Sequence, residues 1–138
     1  MSPAENLRLS DQYLKTYNRH DLMGIVDYWA DVQEGNARAE YQKNFWLAAF
    51  PDTHVELIRR TAQGNMVVTE SIVRATHLGP LKFWVLEPLP ATGRKIEFHY
   101  CGAVEWENGK IKEMRTYVNA ATILGQLGVG EYVDWGAF

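Results

Sequence analysis

Through the first 50 residues, apolar side chains recur every three or four positions, a spacing that predicts helices. Ser2, Pro3 and Glu5 form a capping box at the start of a first helix, which extends to about residue 19. Asp21 can cap a second helix. The apolar face of this second helix comprises Leu22, Ile25, Val26 and Trp29.

A third helical pattern begins near Gly35 and carries Tyr41, Phe45 and Ala48 on one stripe. Pro51 cannot continue a helix, so the third helix ends before it. From residue 52 onward the apolar spacing changes to two, which is the period of a β-strand.

Four later segments have the alternation or the β-branched content of strands: 54–60, 66–76, 95–106 and 111–118. Asn108-Gly109 favours a tight hairpin between the last two. Residues 79–93 are rich in proline and form a loop, with room for one short strand around 82–85. Residues 120–127 form a final helix. Helices followed by a strand meander predict a single α+β domain, residues 1–138, with the helices on one face of an antiparallel sheet.

Alternation also predicts which strand side chains point toward the helices. On strand 66–76 we expect Ser71, Val73 and His77 to point inward and Glu70 and Arg74 outward, although the similar apolar content of the two faces leaves the reverse open. On strand 54–60 one face carries Val55, Leu57 and Arg59. On strand 95–106 the inward set is Phe98, Tyr100, Gly102, Val104 and Trp106.

Composition narrows the function classes. Five Trp, seven Tyr and five Phe indicate a core or pocket walled by flat rings. The formal net charge is −3 and no basic cluster is present, so we expect no nucleic-acid binding. Without a long apolar run or a signal-peptide core, we expect no membrane span and a cytoplasmic location. A single cysteine and four histidines on separate elements argue against a metal site.

Six short motifs occur in order along most of the chain. They are Asn18-Arg19-His20-Asp21-Leu22, Ala48-Ala49-Phe50-Pro51-Asp52, Thr76-His77-Leu78-Gly79, Pro90-Ala91-Thr92-Gly93-Arg94-Lys95-Ile96, Glu107-Asn108-Gly109-Lys110-Ile111-Lys112-Glu113 and Gln126-Leu127-Gly128. In this series the chain resembles the SnoaL-like polyketide cyclases, a branch of the nuclear transport factor 2-like superfamily.

The resemblance implies a cone of curved antiparallel sheet wrapped around the N-terminal helices, with a deep apolar cavity inside. It also implies a homodimer formed through the outer face of the sheet. Family members with known activity close polyketide rings by intramolecular aldol condensation, without a metal or an organic cofactor, so the expected ligand is a small apolar molecule. Relatives in the superfamily isomerise steroids, hydrolyse epoxides or only bind ligands, and a shared fold does not choose among these activities.

The last strand departs from the family pattern. The cyclases carry Glu-x-Trp-x-x-x-Asp, in which the Asp is the acid/base group, whereas this chain has Glu113, Arg115 and Asn119 at those positions. A carboxylate in an apolar pocket removes a proton next to a carbonyl, and an amide does not. Asn119 can only donate a hydrogen bond to a ligand carbonyl or enolate. Either another residue is the base, or the chemistry differs, or the protein has no activity.

His77 is the first candidate for the base, because an unperturbed imidazole titrates near neutral pH. The alternative is a histidine that only hydrogen-bonds a loop. Alternation puts Glu113, Arg115, Tyr117 and Asn119 on one strand face, so Arg115 and Tyr117 point into the cavity if Asn119 does. The alternative for Arg115 is an ion pair with a glutamate that braces the sheet.

The predicted function is a cofactor-independent cyclase or isomerase of an apolar polyketide-like or terpenoid-like molecule, with His77 as base or acid and Asn119 and Arg115 polarising a carbonyl. Two alternatives remain open: a binding or accessory protein that has lost the family carboxylate, and an epoxide or ester hydrolase that uses Glu70 or Glu113. The expected ligand wall comprises Tyr17, Trp29, Phe98, Tyr100, Trp106, Glu113 and Tyr117. The aromatic tail, residues 131–138, is expected to close the cavity mouth or to pack against a partner subunit.

Overall fold

The computed structural model describes residues 2–129, so the predicted role of the tail lies outside the described residues. The elements in chain order are helices α1 (Pro3–Asn18), α2 (Leu22–Val26) and α3 (Val32–Tyr41), a π-helical turn (Gln42–Trp46), helix α4 (Leu47–Ala49), strands β1 (His54–Gln63), β2 (Met66–Thr76), β3 (Lys95–Glu107) and β4 (Lys110–Val118), and helix α5 (Ala120–Gln126). The strands form one antiparallel sheet in the order β1-β2-β3-β4. The predicted α+β fold is confirmed. None of the helices in this part of the chain is long and apolar enough to cross a membrane.

Side-chain caps set the beginnings of the first three helices. Ser2 and Asp21 cap α1 and α2 as predicted, each accepting a backbone N–H of the first turn. The third helix begins at Val32 rather than near Gly35, because the Asp31 carboxylate accepts two backbone N–H groups at 2.9 and 3.3 Å. The cap therefore determines the boundary that the apolar spacing does not show.

The π-helical turn changes which side chains of the third helical segment are buried. The predicted stripe includes Tyr41 and Phe45, but these side chains are 43% and 38% exposed, while Trp46, Ala49 and Phe50 are buried. A π turn contains an additional residue, which rotates everything after it by about 100° around the helix axis. Tyr41 and Phe45 share one stripe as predicted, with ring centres 5.6 Å apart, but the π turn brings Trp46 instead of Phe45 to the core.

A bulge in β1 between Leu57 and Arg59 shifts the register with β2. Val55 lines the inner side of the sheet before the bulge, and Arg60 lines it after the bulge. Arg59, which was predicted to share a face with Val55, instead lies on the outer side, where its guanidinium is 3.7 Å from the carboxylate of Glu70. The bulge thus exchanges one arginine for the next on the inner face.

Two motif residues attach helices to strands through their amide side chains. Asn18, at the end of α1, donates to the carbonyl of Val55 and accepts its N–H, both at 2.9 Å. Gln126, at the end of α5, forms the same two-way pairing with the backbone of Glu97 at 2.7 and 2.8 Å. These contacts hold the helices across one side of the sheet.

Buried apolar side chains form two clusters. The larger one comprises Trp46, Ala49, Phe50, Val73, Ala75, Leu81, Ile96, Phe98, Ile123, Leu124 and Leu127. The smaller one comprises Trp29, Val67, Trp106 and Ile111. Members of both clusters line a cavity between the helices and the inner face of the sheet, which positions the candidate site.

Candidate functional site

The cavity has a volume of about 540 Å³ and receives side chains from helices α1, α3 and α5 and from all four strands. That volume falls within the usual range of small-molecule sites. Its aromatic lining comprises Tyr13, Tyr17, Tyr41, Trp46, Trp84, Phe98, Tyr100 and Trp106. The structure therefore contains the ring-lined pocket that the aromatic composition indicates.

The predicted ligand wall is correct in part. The predicted residues that line the cavity are Tyr17, Phe98, Tyr100 and Trp106. Trp29 does not line it: α2 ends before this residue, which is 3% exposed and packs in the smaller cluster. Glu113 and Tyr117 also lie elsewhere, as the geometry of β4 explains.

The face predicted for β4 is wrong. The β4 residues that line the cavity are Ile111, Met114, Thr116 and Val118. Arg115 therefore lies on the outer face, where it forms a 2.6 Å ion pair with Glu113, and both side chains are largely exposed. Tyr117 is on the same outer face and is 56% exposed. Because side chains alternate along a strand, none of these three can contact a molecule in the cavity.

Asn119 was the basis of the wrong assignment, and it has already left the strand. It is the N-cap of α5, where its Oδ1 accepts the backbone N–H groups of Ala121 and Thr122 at 3.0 and 3.4 Å. The direction of the Asn119 side chain therefore does not indicate which face of β4 carries Arg115. Asn and Asp serve almost equally well as N-caps, so an amide at this position preserves the start of the helix.

His77 lies at the end of β2 and is fully buried next to the ring of Phe50, with the ring centres 5.5 Å apart. Its Nδ1 accepts the backbone N–H of Thr92 at 3.1 Å, which assigns the ring proton of the neutral form to Nε2. Burial lowers the pKa of His77. His77 does not line the cavity, and its geometry supports the loop-binding alternative rather than contact with a ligand.

Of the preferred inward set on β2, Ser71 and Val73 line the cavity together with Thr69, whereas His77 does not. Glu70 consequently points outward to Arg59, and Arg74 pairs with two glutamates of neighbouring strands on the outer face. Neither Glu70 nor Glu113 reaches the cavity, so a hydrolase that uses either carboxylate has no support from the geometry.

A cluster of phenols forms the polar part of the cavity. Tyr13 and Tyr17 lie one turn apart on α1 and face Tyr100 on β3. Burial raises the pKa of each phenol, and Tyr100 further raises the pKa values of Tyr13 and Tyr17. All three therefore remain protonated at neutral pH. Tyr17 donates its proton to Gln42 at 2.9 Å, whereas the hydroxyls of Tyr13 and Tyr100 can donate to a ligand.

Arg38 and Glu34 complete this part of the cavity wall. They form an ion pair on α3 with an N–O distance of 3.1 Å, and Arg38 also donates to the carbonyl of Met114 at 3.0 Å. The positive charge of Arg38 lowers the pKa values of Tyr13 and Tyr100 against the larger effect of burial, and all three residues line the same cavity. Glu34, Arg38 and Tyr13 were not predicted as site residues, although the i, i+4 spacing of Glu34 with Arg38 and of Tyr13 with Tyr17 on a helix is an available signal.

Two hydroxyl donors and a cation in the wall of one cavity can stabilise negative charge on a ligand oxygen, such as the oxygen of an enolate. Among residues 2–129, no three His, Cys, Asp or Glu side chains come together in a way that would hold a metal ion.

Several solved structures share this fold. AclR of Streptomyces galilaeus, a proposed hydroxylase, is 26% identical with a TM-score of 0.76, covering 92% of this chain and 83% of that one. IdmH of Streptomyces antibioticus, a proposed polyketide cyclase, is 23% identical with a TM-score of 0.68, covering 94% and 100%. A Mycobacterium tuberculosis epoxide hydrolase is 15% identical with a TM-score of 0.64, covering 94% of each chain.

No curated protein matches the sequence. The family model described as SnoaL-like polyketide cyclase matches residues 7–127, which span every described helix and strand at least in part. With the helices and curved antiparallel sheet of the nuclear transport factor 2-like superfamily, this chain belongs to the SnoaL-like polyketide cyclase family.

Proposed function

We propose that the protein is a cofactor-independent cyclase or isomerase of an apolar, polyketide-like or terpenoid-like ketone. The observation that carries this proposal is that the phenols of Tyr13 and Tyr100 and the side chain of Arg38 line one largely apolar cavity. When a proton leaves the carbon next to a carbonyl, negative charge develops on the carbonyl oxygen. Donors and a cation already oriented toward that oxygen lower the barrier.

Glu34 is the proton acceptor in this proposal. Among the described residues it is the carboxylate that lines the cavity, and its pairing with Arg38 keeps it beside the phenol cluster. Aldol ring closure and double-bond isomerisation both begin with removal of an α-proton, so one carboxylate can serve either reaction. Glu34 thus takes the role that the sequence analysis gave to His77.

Exchange of α-protons with solvent deuterium tests the proposal without knowledge of the natural substrate. With 2-tetralone, a small fused-ring ketone, we expect the protein to accelerate deuterium incorporation in D₂O, followed by NMR. Tyr100→Phe and Glu34→Gln should each reduce this acceleration by about 10-fold or more. Tyr117→Phe makes the same change as Tyr100→Phe on the outer face and should have no effect.

A second candidate is a ligand-binding protein without catalytic activity. The observation that favours it is the position of Glu34, whose side chain is 49% exposed, so no described carboxylate is buried within the cavity. Binding of 2-tetralone, measured by quenching of Trp fluorescence, with exchange at the rate of buffer alone would establish this second function. The same result would refute the proposed enzyme.

We also propose that two copies associate through the outer face of the sheet. Val68 and Tyr117 are exposed there, and Arg74, near the end of β2, is paired with both Glu56 and Glu97. Sedimentation velocity should show a dimer for the wild type and a monomer for Val68→Glu. Gln33→Glu, on the exposed surface of α3, is the control and should remain dimeric.

A further inference from the structure

A row of side chains crosses the inner face of the sheet at right angles to the strands. Arg60 of β1 pairs in register with Thr69 of β2, which pairs with Gly102 of β3, which pairs with Thr116 of β4. All four residues line the cavity, and the phenol of Tyr100 lies over Gly102. We call these five residues the polar row. It runs across the cavity floor, and Arg60 joins its β1 end to α1.

Arg60 is the charged member of the polar row, and its side chain is only 9% exposed. It donates to the Thr69 hydroxyl at 3.3 Å, to the carbonyl of Ser10 at 3.1 Å and to the Asp11 carboxylate at 3.3 Å. A guanidinium has five N–H donors, so these three bonds leave two for a ligand. Hydrogen bonds from a guanidinium to a carboxylate are charge-assisted and stronger than neutral ones.

The charge of Arg60 is only partly compensated. Its partner Asp11 lies toward solvent and is shared with Lys15, whose ammonium is 3.2 Å from the other carboxylate oxygen. One carboxylate thus serves two cations, and the group of three carries a net charge of +1. Arg38, the other cation in the cavity wall, is paired with Glu34 instead. Charge left at a largely buried guanidinium favours an anionic ligand, because its interactions are weakly screened there.

Ser71 adds a donor next to the polar row. It follows Thr69 on the same inner face of β2, is 1% exposed, and its hydroxyl has no hydrogen-bond partner among the described residues. A buried hydroxyl without a partner is costly unless a ligand or water satisfies it. Its position beside Thr69 therefore extends the polar surface that a ligand would meet.

We propose that Arg60 and Thr69, at the β1 end of the polar row, bind a carboxylate of the ligand, and that the natural substrate is consequently an apolar ring compound that carries a carboxylic acid. This inference rests on the proposed function, since it assumes that an apolar ring system occupies the cavity. It assigns the two ends of that molecule: the ketone to the phenol cluster with Arg38, and the acid to Arg60.

Two matched fluorescent probes test the assignment: anthracene-2-carboxylate and the isosteric, uncharged anthracene-2-carboxamide. Fluorescence anisotropy gives the affinity of each for the folded protein. We expect the wild type to bind the carboxylate about 10-fold more tightly than the amide. In Arg60→Gln this preference should disappear while the affinity for the amide stays within about 2-fold. Arg74→Gln, which removes an outer-face arginine, should retain the preference.

Arg60→Lys provides a second variant if Arg60→Gln does not fold, because lysine keeps the positive charge but lacks the planar set of guanidinium N–H donors. Its preference for the carboxylate probe over the amide probe should be reduced. Equal affinities of the wild type for the two probes would overturn the inference and leave the proposed function in place. A preference that survives in Arg60→Gln would overturn the assignment to Arg60. Failure of the wild type to bind either probe would overturn both the inference and the proposed function.

Discussion

The ring of Tyr100 lies across Gly102, two residues further along β3. A Cβ atom at Gly102 would be 3.1 Å from both Cε1 and the hydroxyl oxygen of Tyr100, closer than a side chain can normally approach. The absence of a side chain at Gly102 thus allows the phenol to lie over the sheet in the direction of Thr116, the register partner of Gly102 on β4. The position of one catalytic donor in the proposed mechanism depends on this glycine.

Gly102→Ala should displace the phenol of Tyr100. We expect the variant to lose about 10-fold in affinity for 2-tetralone and about 1–3 kcal/mol in the free energy of unfolding, because the new methyl group overpacks the cavity floor. Fluorescence titration and urea unfolding measure the two quantities. Tyr100→Phe keeps the ring and removes the hydroxyl, so it should reproduce the loss of affinity with little loss of stability. Unchanged affinity in both variants would show that the phenol does not bind the ketone.

Asn18→Ala should reduce stability without changing ligand binding. The substitution leaves the N–H and the carbonyl of Val55 without their partner at the edge of the sheet, and we expect a loss of about 1–3 kcal/mol in the free energy of unfolding. Urea unfolding measures this loss. Asn36→Ala, at an exposed position of α3, is the matched control and should not be destabilised. A loss of 2-tetralone affinity in Asn18→Ala with stability unchanged would contradict this role.

The motifs that carry the family resemblance explain why the fold could be predicted and the site could not. Asn18 and Gln126 pair with strand backbone, and His77 accepts a backbone N–H of the 79–93 loop. These side chains determine how helices and loops attach to the sheet. Recognising them therefore predicts the architecture, while the cavity lining takes one residue, Ile111, from the six motifs.

Three local features account for the wrong assignments. At each of them the regular helix or strand spacing is interrupted by one residue. The π-helical turn rotates Trp46 into the core in place of Phe45. The bulge in β1 brings Arg60 rather than Arg59 to the inner face. At the end of β4, Asn119 leaves the strand for a helix cap, so extending the strand alternation to it gives the opposite face. Periodicity predicts the elements themselves. One extra residue in a strand, however, moves every later side chain to the other face of the sheet, and one extra residue in a helix turns every later side chain by about 100° around the axis.

The contribution of His77 to stability should decline as pH falls. Burial lowers its pKa in the folded protein below the value of about 6.5 that it has in the unfolded chain. The unfolded state therefore binds the proton more readily, so the contribution is complete above pH about 6.5 and is lost as pH falls through that value toward the folded pKa. Urea unfolding of the wild type and His77→Gln between pH about 7.5 and about 5 measures it. The difference in unfolding free energy should shrink with falling pH; a constant difference would contradict the role of burial.

A new carboxylate should accelerate α-proton exchange when it stands on the inner face of β4, and not when it stands at position 119. Thr116 lines the cavity beside Tyr100, so the carboxylate of Thr116→Asp would reach a ketone held by the phenols, and we expect α-proton exchange in 2-tetralone to rise by about 10-fold or more. Asn119→Asp, at the position of the family Asp, should leave exchange unchanged and stabilise α5 by about 0.5 kcal/mol, because a negative charge at a helix N-terminus is favourable. NMR in D₂O and urea unfolding measure both effects. If Asn119→Asp accelerated exchange and a folded Thr116→Asp did not, the reacting carbon would lie at the end of β4 near α5 and not over the phenol cluster.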